Sequence, residues 1–181
     1  TNPSVTGLDN GVDIDISCTT NDYYWIGGSG NWSDPAHWNY TVDGINFFAA
    51  VGPPSANDNA NFDSNSFPSG GTLTFDQGVS INDMYWEPGS GANNPLIQSN
   101  GYSINLGGEF VLDAGVITQL YGVYFNSPKQ NMEVNFGDNI LANTGVGTIE
   151  FDGGGSWDLN SEMTAGPIHL YNGSTFSTND Y

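Results

Sequence analysis

The chain has 181 residues, 37% of them hydrophobic and 13% aromatic, and its 20 Asp and Glu face a single basic residue, Lys129, for a formal net charge of −19. That balance excludes a phosphate reader, because binding nucleic acid takes about one Lys or Arg per neutralised phosphate, and it disfavours anionic membranes and acidic polysaccharides. The lone Cys18 closes no internal disulfide, no Cys/His cluster has zinc-site spacing, and no stretch approaches the ~20 apolar residues of a membrane span, so one domain held by packing and backbone pairing is expected.

In chain order, residues 1–22 read as an extended lead-in or linker, in which Val12, Ile14 and Ile16 alternate with Asp13 and Asp15 as on an edge strand with one solvated face. This N-terminus lacks the charged and apolar regions of a signal peptide, so either a signal was removed or the chain is an excerpt of a longer one, and the C-terminus, which breaks off inside a repeating pattern, favours the excerpt. Residues 23–71 hold three tryptophans, a Pro-Pro pair and little alternation, and they predict an aromatic cap built from Trp25, Trp32, Trp38, Phe47, Phe48, Phe62 and Phe67. Gly27, Gly28 and Gly30 permit the tight turning that lets Trp25 and Trp32 fold onto one another, and Ser33-Asp34-Pro35 predicts a turn or short helix start that delivers Trp38.

Residues 72–181 change character. Helix periodicity is absent, and runs of three to five residues alternate between turn residues: 72–75, 79–81, 84–86, 103–106, 109–112, 123–125, 133–136, 148–151, 156–159, 168–170 and 174–176. Residues 147–153 and 166–172 echo one another about twenty residues apart, a period that predicts a solenoid. The expected fold is all-β, a right-handed parallel β-helix whose strands each pair with their equivalents in the next coil, with the aromatic cap covering its N-terminal end. A β-sandwich is the alternative, since it too has short strands and frequent turns.

One stretch carries a resemblance. Tyr24-Trp25-Ile26-Gly27-Gly28-Ser29-Gly30-Asn31-Trp32-Ser33-Asp34-Pro35-Ala36-His37-Trp38, followed by residues 52–63 with Pro54, Asp58, Phe62 and Asp63, resembles the opening of a family of large bacterial surface proteins. There a W-x-G-G-x-G-x-W-S-D-x-x-H/N-W phrase leads into P-x-x-x-D-x-x-x-F-D and then a β-helix. Asp83-Met84-Tyr85-Trp86 and Gly154-Gly155-Ser156-Trp157-Asp158-Leu159 match its recurring phrases, so the likeness spans most of Tyr23 to Tyr181. The resemblance implies a secreted or cell-surface protein similar to type IX secretion cargo and adhesins of Bacteroidetes, and it implies no activity. About twenty residues precede a motif that in the family sits close behind the signal peptide, which leaves room for an upstream domain or a repeated module.

Candidate sites are few. Trp25, Trp32 and Trp38 flanked by Asn and Asp offer a sugar-stacking platform if exposed and a core plug if buried. Asp58 and Asp63, among Asn57, Asn59, Asn61 and Asn65, are candidate Ca²⁺ ligands, although the spacing is not that of an EF-hand; the alternative is that Asp58 caps a turn and accepts backbone N–H bonds. His37 and His169 lie far apart with no nucleophile or metal partner beside them, His37 reading as a donor to a backbone carbonyl and His169 as an outward residue between Ile168 and Leu170. Asp113, Asp138, Asp152 and Asp158 are the carboxylates a polysaccharide hydrolase would need on one face. The reading is a structural or adhesive module without catalysis; a carbohydrate-binding or polysaccharide-cleaving β-helix is the alternative. Its expected partners are other segments of the same large protein, a surface glycan or the secretion machinery, with no nucleic acid and no membrane insertion.

Overall fold

The computed structural model describes residues 20–137, 147–162 and 166–178, so the alternating segment around Val12, Cys18 and Asp138 lie outside the described residues. Short runs bounded by Gly and Asn cannot support long strands, and the molecule solves this by stacking them. Among the described residues eighteen strands of two to five residues assemble into three sheets, and the one helical element is a 3-10 turn at Pro35–His37.

The nine-stranded sheet contains β1 (Asp22–Trp25), β3 (Trp38–Thr41), β4 (Phe48–Ala49), β5 (Asn59–Phe62), β8 (Met84–Trp86), β11 (Phe110–Val111), β14 (Met132–Asn135), β16 (Ser156–Leu159) and β18 (Thr175–Ser177). The four-stranded sheet holds β2 (Gly30–Asn31), β6 (Thr72–Thr74), β9 (Leu96–Gln98) and β12 (Ile117–Gln119). The five-stranded sheet holds β7 (Val79–Ile81), β10 (Ser103–Leu106), β13 (Gly122–Asn126), β15 (Ile149–Asp152) and β17 (Ile168–Leu170). From β5 to β14 the chain visits the nine-, four- and five-stranded sheets in strict rotation, so each strand pairs with the strand one circuit on.

Among the described residues every pair is parallel except β1 with β3 and β3 with β4. That departs from the antiparallel, hairpin-joined sheets of a β-sandwich. The echo seen in the sequence is one of these pairings: Ile149, Glu150 and Phe151 of β15 lie against Ile168, His169 and Leu170 of β17.

Register places like on like. In the five-stranded sheet Val79, Ile104, Val123 and Ile149 form one buried column, and Ile81, Leu106, Phe125 and Phe151 another. Between these columns Ser80, Asn105, Tyr124, Glu150 and His169 form a row on the opposite face. In the nine-stranded sheet Ala60, Met84, Phe110, Val134 and Leu159 stack in the same way. One continuous core results, running from Trp25 to Leu159. Ile168 and Leu170 continue the two five-stranded-sheet columns, yet they are 40% and 51% exposed because no further described strand lies over them.

Residues 23–71 are woven into this arrangement. β1 and β5 continue the nine-stranded sheet and β2 continues the four-stranded one, while β3 and β4 form an antiparallel extension at its edge. Among the described residues no helix is long and apolar enough to cross a membrane.

Candidate functional site

The tryptophan-glycine stretch builds its geometry from local bonds. Gly27 and Gly28 have φ of 88° and 79°, a left-handed turn that brings the Gly28 carbonyl 2.8 Å from the Trp25 indole N–H, which donates to it. Asp34 accepts a hydrogen bond from the Ala36 N–H at 2.9 Å and Pro35 opens the 3-10 turn, so the chain enters β3 with Trp38 pointing inward.

Trp25, Trp32 and Trp38 are fully buried. Trp38 lies edge-on to both of the others, at ring-centroid distances of 5.0 Å from Trp25 and 4.8 Å from Trp32, and it donates from Nε1 to the Trp32 carbonyl at 2.9 Å. The expected direct stacking of Trp25 on Trp32 is replaced by this arrangement with Trp38 between them. Trp25 stacks instead on His37 and Phe67, and Phe62 and Phe67 stack on Trp86. With their rings covered, the three tryptophans present no open face to a pyranose ring. Phe47 and Phe48, expected in the cap, stand outside it and are each 50% exposed.

Gly30 serves a purpose other than positive φ. A Cβ there would overlap the His37 imidazole, which occupies the space above the glycine and donates from Nδ1 to the Ile26 carbonyl at 2.7 Å. His169 is exposed, with Nδ1 3.0 Å from the Tyr171 hydroxyl and 3.8 Å from Glu150 Oε1. No Ser, Cys or metal-ligand set joins either histidine among the described residues.

Asp58 and Asp63 cap separate turns. Asp58 is buried; its Oδ1 accepts from the backbone N–H and side-chain amide of Asn21, and its Oδ2 from the backbone N–H and hydroxyl of Ser55 at 3.0 and 2.6 Å. Four protein donors match the roughly four acceptor positions of a carboxylate. Asp63 accepts from the Asn65 N–H at 2.8 Å and its side-chain amide at 3.2 Å. Among the described residues no three His, Cys, Asp or Glu converge as a metal cluster.

The hydrolase carboxylates are dispersed. Asp152 lies in the five-stranded sheet and accepts from Gly153 and Asn172, Asp158 lies in the nine-stranded sheet, and Asp113 follows β11 and accepts from the Gly91 N–H at 2.8 Å. Two features escaped the sequence reading. Glu133 and Asp158 occupy facing register positions on β14 and β16. Close by in the chain, a cavity of about 450 Å³ is lined by Tyr85, Asp113, Asn135, Asn160 and Glu162, among others. Such neighbours are invisible without the register, since they lie a full circuit apart in sequence.

Lys129 Nζ donates to Asn82 Oδ1 at 2.9 Å, Asn82 Nδ2 to Asn59 Oδ1 at 2.8 Å, and Asn59 Nδ2 to Asp22 Oδ1 at 2.9 Å. This ladder ties the loop before β14 to β1 across the successive circuits.

No family model, no curated protein and no solved structure matches this chain.

Proposed function

We propose that the chain is a right-handed parallel β-helix serving as a structural or adhesive module, without catalysis, in a large extracellular or cell-surface protein of the Bacteroidetes type IX-secreted kind. The observation that carries this reading is the register: buried columns repeat circuit after circuit, and the Trp25–Trp32–Trp38 cluster fills one end of the core they form. An aromatic-filled end and stacked short strands suit a stalk that holds its shape without disulfides. Right-handedness follows the rule that crossovers between parallel strands of one sheet are right-handed in about 98% of cases. Location is supported by the motif resemblance and by a surface almost free of cations. A Ca²⁺ ion at Asp58 is not required for this role, because its carboxylate already has protein donors.

The test is antibody labelling of intact and permeabilised bacteria with serum raised against the folded chain. Labelling of intact cells is expected; signal only after permeabilisation would defeat the surface reading.

A second reading, carbohydrate binding or cleavage, is favoured by the cavity beside Tyr85, where an exposed aromatic face adjoins the side chains of Asn135, Asn160 and Glu162. A glycan array separates the readings. Binding that Tyr85→Ala abolishes without lowering the melting temperature would favour the second, and Glu162→Gln would then report whether a bound glycan is cleaved.

A further inference from the structure

The hairpin made by β3 and β4 contradicts the economy of the rest of the molecule. Every residue from Val42 to Ala49 is exposed, and these include Val42, Ile45, Phe47 and Phe48; Val51, just beyond, is 100% exposed. Phe47 meets Tyr24 and Phe48 meets Tyr40, so the two rings flank the hairpin on opposite faces; exposed apolar side chains gathered in this way mark a contact surface.

Hydrogen bonds brace the turn of this hairpin. Thr41 is buried, and its hydroxyl bonds the Gly44 N–H and the Asp43 carboxylate. Asp43 in turn accepts from the Ile45 and Asn46 backbone N–H groups at 2.9 and 2.8 Å. A contact surface ordered before binding loses less entropy on association.

Among the described residues the hairpin also ends a sheet. β4 is the terminal strand of the nine-stranded sheet, and Phe48 ends an aromatic row in which Tyr23 stacks on Tyr40 at 5.6 Å and Tyr40 meets Phe48 at 5.6 Å. Since the Ala50 N–H donates to the Trp38 carbonyl, alternation along the strand turns the Ala49 N–H away from β3, towards the open edge. An open edge beside apolar side chains is a template for one more strand.

Charge selects the occupant. Asp22 faces Thr41 across the β1–β3 pair, Asp43 sits in the turn, and no Lys or Arg occurs before Lys129. A second copy brings the same charge of −19, and residues 1–19 carry Asp9, Asp13 and Asp15 with no cation, so neither complements this edge in charge.

We infer that the β3–β4 hairpin docks a basic, extended segment of a partner protein, which adds as a strand to the β4 edge and packs its apolar side chains against Phe48 on one face of the sheet. This gives the adhesive side of the proposed function its contact surface; it rests on that reading for its role and is independent of it for its chemistry, because binding in solution does not depend on where the protein resides.

The test uses capped heptapeptides alternating lysine with valine or phenylalanine, an acidic counterpart with glutamate for lysine, and a scrambled basic peptide of the same composition. Binding is followed by backbone NMR shifts of the folded chain. The basic alternating peptides are expected to shift resonances of residues 39–51, and to bind at least tenfold more tightly than the other two. Two variants, Phe47→Ser with Phe48→Ser and Ala49→Pro, are each expected to weaken binding at least tenfold with the melting temperature retained; if one fails to fold, the other still decides. Equal binding of the scrambled peptide, full binding by a folded variant, no binding by any alternating basic peptide, or a concentration-dependent dimer formed through residues 42–51 would each overturn the inference.

Discussion

The imidazole of His37 lies flat on the indole of Trp25, with ring centroids 4.6 Å apart and planes 7° from parallel. The ring holds that position because Gly30 leaves the space free. Gly30→Ala is therefore expected to destabilise the fold by about 1–3 kcal/mol, the usual cost of overpacking. In a His37→Ala background the same change is expected to cost much less, and a double-mutant cycle by chemical denaturation measures the difference. Additive effects would show that Gly30 serves something other than the imidazole.

Thr118 stacks in register with Leu73 and Ile97 on the inner face of the four-stranded sheet, and its buried hydroxyl finds no hydrogen-bond partner among the described residues. Thr118→Val removes a desolvated hydroxyl while keeping the shape. A gain of about 1 kcal/mol is expected, read as a rise in melting temperature.

Asp58→Ala leaves the Asn21 and Ser55 donors without their acceptor and separates the start of β1 from the turn before β5. A loss of about 2 kcal/mol is expected, in the range of hydrogen bonds to a charged group. Denaturant unfolding measures it.

Hydrogen bonds from the backbone N–H of Asn46 and of Ile45, and then from the Asn46 side chain, hold the Asp43 carboxyl well below its ordinary value of 3.8. A depressed folded value means that its contribution is present above the unfolded value and is lost as pH falls through the folded one. The Asp43 resonance is thus expected to stay unprotonated on acidification to about pH 3, where free carboxyls have titrated. Below that the hairpin turn loosens first. An NMR titration of Asp43 checks this, with Asp43→Asn showing no such acid transition in the turn.

Strands such as β7 and β10 were legible because their inward positions are large and apolar: Val79 and Ile81, or Ile104 and Leu106, bracket a polar residue. In the four-stranded sheet β6 was legible as the run 72–75, but β9 and β12 were not. In β9 and β12 only the middle residue faces inward, and in β12 that residue is Thr118 while Ile117 is exposed, so hydrophobicity runs against the true alternation. β4 was missed because the adjacent Phe47 and Phe48 fall on opposite faces and hide a period of two, which also drew both into the expected cap; β3, where Trp38 and Tyr40 alternate with Asn39 and Thr41, was read as part of that cap. The cap expected from Trp25, Trp32 and Trp38 is buried, but the seating of Trp25 against His37 depends on the space left at Gly30, which no spacing rule encodes.

The ladder from Lys129 to Asp22 has a direction. An ammonium can only donate and a carboxylate can only accept, so the two ends dictate how each carboxamide between them must lie, carbonyl towards Lys129 and amide nitrogen towards Asp22. Turning either Asn59 or Asn82 over would set donor against donor at one junction and acceptor against acceptor at the other. The second N–H of Asn82 reinforces the sense by reaching Asp83 Oδ2 at 2.8 Å. The one strong cation of the chain thus orients a row of neutral side chains, as a single pole aligns a line of compass needles.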